Sequence, residues 1–284
     1  MKVDFHFHSQ FSDGSYVLSD LIDMAHQEQV KVLSLTDHDS VAGYPEFCQL
    51  ASEKGMQAVC GIECSVTWNR QELHIIGLGV DYNHDRLLSY LAVQQEKRLH
   101  RAQNMAQRLE QIGFKNCYDK VLELAGHLNI SRTHFANLLV HEYGVKDKKV
   151  AFRDYLGSRG VAYYPSQWVN IEETVAVIQA SHGVAVLAHP LHYQLTTAQL
   201  KGLLKTFKEA KGEGLEVISG LQTAKDTQRI AQLCRDFKFY ASTGSDFHFC
   251  APFRAMIGCQ TPLPDNLRPI WHHDAFQSSG LLLE

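Results

Sequence analysis

The chain has 284 residues, 45% hydrophobic and 20% charged, with a formal net charge of −4 and 16 histidines. This length and apolar content allow a full core in one large domain, or in one domain carrying an insertion. No apolar run reaches the ~18 residues of a membrane span and the first strand starts at Lys2, so neither a membrane segment nor a signal peptide is expected, and the cytoplasm is the expected compartment.

The first element is "KVDFHFHS", in which Val3, Phe5 and Phe7 alternate with Asp4, His6 and His8, the period-two pattern of a strand with two different faces. His6 and His8 then share a face, with Cα atoms about 7 Å apart, close enough for both imidazoles to converge on one ion. The turn-rich "SQFSDGS" ends the strand and leaves Asp13 on a loop beside the same spot. "SDLIDMAHQEQ" has helical spacing, "VKVLSLTDHD" is a buried strand, "GYPEFCQLASEKG" is a helix closed by Gly55, and "MQAVCGIECSV" is a further strand. Cys60 and Cys64 lie in that strand as small core residues, and the seven scattered cysteines suit reduced thiols. Between residues 84 and 170 helical stretches such as "LLSYLAVQQEKRLHRAQNMAQRLEQIG" and "THFANLLVHEYG" follow one another without a strand. The rhythm resumes at "NIEETVAVIQASHG", where Asn170 caps and Glu173 holds the capping-box position. "VAVLAHP", "AQLKGLLKTFKEAKG", "GLEVIS", "DTQRIAQLCRDFK" and "FYASTGSDFH" then continue the alternation. The tail after Trp271 receives no role.

Alternating strands and helices imply a parallel sheet with crossover helices, and their number favours an α/β barrel over an open sheet. The expected organisation is a barrel of residues 1–83 and 171–284 interrupted by an all-helical module of residues 84–170 acting as a substrate cap. Nearly every strand carries a metal-type side chain where its apolar run stops: His6, His8 and Asp13, then Asp37, His38 and Asp39, then Glu63, His74, His189, and finally Asp246 and His248. Active sites of parallel barrels form at the C-terminal strand ends, so the joint placement points to a site for several metal ions.

In this order and spacing, "HFHSQFSDG", "TDHD", "GIE", "AHP" and "GSDFH" resemble the polymerase and histidinol phosphatase (PHP) family of metal-dependent phosphoesterases. The resemblance implies a distorted (β/α)7 barrel. It also implies that His6, His8, Glu63 and Asp246 hold one metal, Glu63, His74 and His189 a second, and Asp13, His38 and His248 a third. Two to three divalent ions are expected, Mn2+ first, with Fe or Zn as alternatives, because mixed imidazole and carboxylate donors suit such metals. Asp37 and Asp39 are expected to orient ligand imidazoles from outside the set. A cluster of this kind clamps phosphoryl oxygens and supplies a metal-bridging hydroxide, which means phosphoester hydrolysis.

Residues 94–160 contain 12 Lys and Arg against 7 Asp and Glu, so positive charge is concentrated on the helical module. Lys146, Lys148 and Lys149 read as a solvated helix surface. In "ISRTHFA", by contrast, Arg132 and His134 sit at a polar helix start suited to an anion. This stretch resembles the anion-binding segment of a PHP subgroup that includes 3',5'-nucleotide bisphosphate phosphatases and a 5'-3' exoribonuclease. Ser131, Arg132 and His134 would then hold a terminal 5'-phosphate, with Arg159 in "YLGSRG" as a further substrate contact standing where the subgroup pattern has a lysine. The expected partner is a nucleotide or a short 5'-phosphorylated RNA, with no membrane and no obligate protein partner. A small-metabolite phosphatase of the histidinol phosphatase type is the alternative, and a non-catalytic nucleic-acid module the third reading.

Overall fold

The computed structural model describes residues 1–277. Seven strands follow one another around a single sheet in chain order: β1 (Val3–Phe7), β2 (Val32–Leu35), β3 (Gln57–Trp68), β4 (Gln71–Leu78), β5 (Val184–Leu187), β6 (Gly214–Ser219) and β7 (Tyr240–Gly244). A parallel bridge between Phe7 and Phe247 brings the last strand back to the first, so the sheet nearly closes into a barrel. Closure needs Gly244, since a Cβ there would lie 2.2 Å from the His6 Cβ and 2.8 Å from its backbone nitrogen. Every residue of β1, β2, β5 and β6 is buried, as strands covered on both faces must be.

One expectation fails here. The sheet is not wholly parallel, because β4 runs antiparallel to both β3 and β5. The cause is a two-residue hairpin at Asn69 and Arg70, both with positive φ (47° and 65°), the geometry that twists a tight turn in step with its strands. A second correction concerns Glu63 and His74, which lie inside the long β3 and inside β4 and not at strand ends. Glu63 still stands at the rim, because β2 stops at Leu35, paired with Cys60, and β3 continues past it. The backbone of "TDHD" stays in register with that extension: Asp39 N donates to the Glu63 carbonyl (2.9 Å) and Glu63 N to the Asp37 carbonyl (3.2 Å).

Helices α1 (Leu18–Gln27), α2 (Tyr44–Glu53), α7 (Ile171–Ala180), α8 (Thr197–Glu209) and α9 (Ala224–Asp236) pack around the strands. Between β4 and α7 lie α3 (Asp85–Gln111), α4 (Cys117–Ala125), α5 (Arg132–Tyr143) and α6 (Lys148–Ala151), followed by a π-helical turn at Phe152–Leu156. They bury a separate apolar cluster containing Met105, Leu109, Val121, Phe135, Leu139 and Leu156. The N-terminal end of the barrel is covered by a 3-10 turn (Ile270–His272) and the short α10 (Asp274–Gln277), where Phe5 meets Trp271 and Phe276 at 6.0 and 5.8 Å. That gives the tail after "RPIW" a packing role as far as it is described, and residues 278–284 lie outside the described residues. No helix among the described residues is long and apolar enough to cross a membrane.

Candidate metal centre

The period-two pattern of β1 places His6 and His8 on one face, their Nε2 atoms 3.2 Å apart. Glu63, with no exposure to solvent, enters from β3 and meets five imidazoles. Its Oε1 lies 2.9 Å from His189 Nε2, 3.0 Å from His74 Nδ1 and 3.3 Å from His6 Nε2. Its Oε2 lies 2.9 Å from His38 Nδ1 and 3.2 Å from His8 Nε2. Asp246 Oδ1 sits 3.5 and 3.6 Å from the same nitrogens of His6 and His8, and 3.5 Å from His248 Nδ1. Asp13 Oδ1 faces His248 Nε2 at 3.4 Å and His38 Nε2 at 3.8 Å.

All nine side chains expected to bind metal therefore converge, but their grouping is less partitioned than three separate sites. His38 turns one nitrogen to Glu63 and the other to Asp13, and His8 also belongs with Asp13, His38 and His248. His192, half exposed, adds a nitrogen 3.9 Å from Asp246 Oδ2. His189 (φ 25°) and Asp246 (φ 51°) both hold left-handed backbone, uncommon for residues other than glycine and concentrated at functional sites.

The cluster draws positive charge. Burial disfavours a charged His6, yet Glu216, Glu63 and Asp246 outweigh it and hold the imidazole well above its ordinary range. Against the same burial penalty, Asp246 and Glu63 lift His8 to about 9, and Glu63 with Glu72 lifts His74 to about 10. Burial prevails at His38, which falls to about 4, and it also lowers His192. Glu63, Asp246 and Asp13 are likewise opposed by burial but are held well below the usual carboxylate range by the histidines around them. A site that binds protons this strongly offers the same field to a divalent cation, which displaces those protons.

Three atoms of the set, Glu63 Oε2, His38 Nδ1 and Asp13 Oδ1, are buried without a hydrogen-bond partner. Buried polar atoms are rarely left so, and cations held separately by the Asp13, His38, His248 and His8 group and by the Glu63, His38 and His74 group would give them partners. The oxygen and imidazole donors suit a divalent transition ion, so the residues fit one.

The surrounding contacts revise two expectations. Asp37 does not touch a ligand imidazole. It accepts from Ser9 N (2.8 Å), Ser9 Oγ (2.6 Å) and Ser12 Oγ (2.5 Å), and Ser12 Oγ in turn lies 3.5 Å from His8 Nδ1. Asp39 faces the helical insertion, taking Arg98 Nε and Nη2 on one oxygen at 2.8 and 2.5 Å. The carboxylate that does orient an imidazole is Glu216 of "GLEVIS", which the sequence reading passed over: its Oε1 lies 2.9 Å from His6 Nδ1 and its Oε2 accepts from His189 N at 2.6 Å. A glutamate inside a fully buried strand was the available signal. Tyr193 pins the β4–β5 seam beside the site, its hydroxyl accepting from His74 N (2.9 Å) and donating to the Ala188 carbonyl (3.0 Å).

A cavity of about 800 Å³ opens over these ligands. At one end Glu72, four ångströms from His74 Nε2, pairs with Arg132 Nη2 (3.0 Å) and Arg101 Nη1 (3.4 Å). Arg132 thus lines the cavity. Ser131 and His134 are engaged with each other: Ser131 N donates to His134 Nδ1 (3.0 Å), and Ser131 Oγ accepts from the backbone of Thr133 and His134, a complete capping box. Ser131 reaches the cavity wall and His134 does not. Arg159 is exposed and also absent from the wall, whereas Lys148 and Lys149, expected to be solvated surface, line it. Arg98 and Arg101, missed in the sequence, are held over the Trp168 ring at 5.1 and 4.6 Å.

A seven-stranded α/β barrel with a histidine and carboxylate cluster at the C-terminal rim defines a metal-dependent hydrolase. The chain belongs to the PHP domain family, which it matches over residues 4–162, and it is a hydrolase of phosphoester bonds. It is 37% identical over 271 residues to a 3',5'-nucleoside bisphosphate phosphatase of Chromobacterium violaceum, covering 95% of each chain. It is 34% identical over 270 residues to a 5'-3' exoribonuclease of Haemophilus influenzae, covering 95% of this chain and 98% of that one. A solved structure from Chromobacterium violaceum, described as an amidohydrolase with bound sulfate and no metal, superimposes with a TM-score of 0.90 at 37% identity, over 96% of this chain and 95% of the other.

Proposed function

We propose that His6, His8, Asp13, His38, Glu63, His74, His189, Asp246 and His248 hold two or three divalent ions, Mn2+ in the first place and Fe or Zn as alternatives. With them the chain hydrolyses a phosphoester on the 3' oxygen of a 5'-phosphorylated nucleotide. The substrate is a 3',5'-nucleotide bisphosphate or the 5' end of an RNA. One observation carries this reading: a fully buried carboxylate ringed by five imidazoles forms the floor of a cavity whose wall ends in two arginines. When bound, the ions supply Lewis acidity toward phosphoryl oxygens and a nucleophile at neutral pH.

The protein's own residues do the positioning. Glu216 accepts the Nδ1 proton of His6 and leaves Nε2 facing Glu63 and Asp246. Arg132 offers a bidentate fork to a terminal phosphate at the start of α5, where the helix dipole favours an anion, and Glu72 holds that fork in place beforehand. Ser131 and His134 serve this contact by building the helix start. The helical segment of residues 84–170 acts as a substrate cap on the barrel of residues 1–83 and 171–284. A turnover assay with Mn2+ tests the reading by comparing 3',5'-bisphosphoadenosine, a 5'-phosphorylated oligoribonucleotide and histidinol phosphate. Release of 5'-mononucleotides from the 5' end, with little turnover of histidinol phosphate, is the expected result. Preference for histidinol phosphate overturns it.

A further inference from the structure

The same cavity carries a second set of features that the proposed chemistry leaves unused. Besides His248 and Asp13, its wall includes Lys148, Phe249, Phe253 and Arg254. Lys148 Nζ stands 4.4 Å from the centroid of the Phe249 ring and the Arg254 guanidinium carbon 4.8 Å from it. Neither cation has a carboxylate within 4.0 Å among the described residues, although Asp13 attracts Lys148 from further off, so two positive charges share one ring without a direct ion pair. Four residues on, Phe253 is 96% exposed and holds φ +64°, a conformation bulky side chains rarely adopt. A large apolar ring held in solvent by a strained backbone beside unpaired cations has the composition of a single-strand nucleic-acid platform: bases stack on the aromatic face while the cations follow the backbone.

Resting on the function proposed above, we infer that Phe253, with Phe249, Lys148 and Arg254, is a stacking platform for the nucleotide on the 3' side of the scissile bond, so that RNA is the substrate class this cavity is built to take. The order of groups along the cavity supports the polarity. Arg132 and Glu72 lie beside His74, the His74 ring lies 4.7 Å from that of His38, and the His8 ring next to His38 stacks on His248 at 4.0 Å. A bisphosphonucleotide presents two phosphates, one for Arg132 and one for the metal cluster. Its single base belongs to the nucleoside between those two phosphates, so it has no second base and no further phosphate for Phe253, Lys148 and Arg254, whereas an RNA presents its next phosphate and base there.

The test measures kcat/KM of the metal-loaded wild type, Phe253→Ala and Phe253→Trp on 3',5'-bisphosphoadenosine, a 5'-phosphorylated tetraribonucleotide, and the same tetramer with an abasic second residue. Removing the ring should lower the ratio of tetramer to bisphosphonucleotide turnover by about ten-fold, and tryptophan should restore it. The abasic tetramer should lose a similar factor with wild type and little more with Phe253→Ala. An unchanged ratio in Phe253→Ala, with wild type active on both substrates, overturns the platform alone. A wild type that hydrolyses none of the three overturns the function proposed above and the platform with it.

Discussion

Histidines in two parts of the molecule meet opposite fates on burial. At the barrel rim His8 and His74 lie against carboxylates and are drawn up to about 9 and 10. In the helical insertion His134 is pushed down to about 4 by burial, with His127, Arg98 and Lys148 adding repulsion that Asp13 only partly offsets. Burial opposes the charged ring in every case, and what differs is the balance of charge around it: carboxylates outweigh burial at His8 and His74, but not at His38, where burial and the neighbouring His8 prevail over Glu63 and Asp13. The barrel gathers negative charge and so takes up cations, while the insertion keeps its buried histidine neutral and presents fixed positive charge through its arginines. A phosphate substrate bound between them would be met by ions on one side and guanidinium groups on the other.

The comparison breaks most completely at Glu63. Glu63→Gln keeps the shape but removes the charge that five imidazoles share, so both metal content and turnover should be lost while the circular dichroism spectrum stays that of a folded barrel. Elemental analysis beside a phosphatase assay checks this. Retained metal with full turnover would remove Glu63 from the centre of the site.

The join between the two regions comes next in size. Asp39, in left-handed backbone (φ 45°), pairs with the buried Arg98 of α3, and Gln94 and Ser65 N also donate to it. Asp39→Ala leaves a buried guanidinium without its partner and should cost about 3–5 kcal/mol in urea unfolding. Replacing both residues with leucine should recover much of that loss, because it is the stranded charge that is expensive. Equal losses in the single and double variants would mean that the ion pair itself, and not the unpaired charge, sets the cost.

These two sites also mark how far the sequence could be read. Most metal-type residues are legible because they stand at the end of an apolar run, so period and residue type locate them without knowledge of their partners: "HFH", "TDHD", "AHP" and "GSDFH" all reach the rim, while Glu63 and His74 lie inside β3 and β4. The contacts that organise them were not, because they join distant segments. Arg98 finds Asp39 across 59 positions and His6 finds Glu216 across 210. The reversal of β4 was hidden for a different reason: its hairpin is made by Asn69 and Arg70, and the absence of a glycine removed the usual turn signal. Lys148 was misread because a cation on a solvated face and one lining a cavity look alike until the fold places them.

At the substrate end the comparison is sharpened by Arg132. Its guanidinium is engaged by Glu72 and stands clear of the imidazole cluster, so Arg132→Ala should lower kcat/KM on a 5'-phosphorylated oligoribonucleotide by about 2–4 kcal/mol. The 5'-hydroxyl form of the same strand should already be poor and should hardly change. Equal losses on both forms would assign Arg132 to the reacting phosphate or to folding, not to end recognition.

The smallest effect isolates the neutral histidine of the insertion. The folded-state value of His134, about 4, lies below the 6.5 of an exposed imidazole, so the unfolded chain binds this proton more readily. The stability that follows is fully present above pH 6.5 and is lost as pH falls from there toward 4. At pH 5 the loss amounts to about 2 kcal/mol. His134→Gln provides the control, because glutamine at the third helical position can still accept from Ser131 N and complete the capping box, yet it does not titrate. Urea midpoints of wild type and variant should nearly coincide at pH 7.5 and diverge in favour of the variant by pH 5. The protonation of the rim histidines, common to both proteins, cancels in the difference. Parallel midpoints across this range would show that His134 takes up its proton in the folded state as easily as in water, and that the insertion does not keep it neutral.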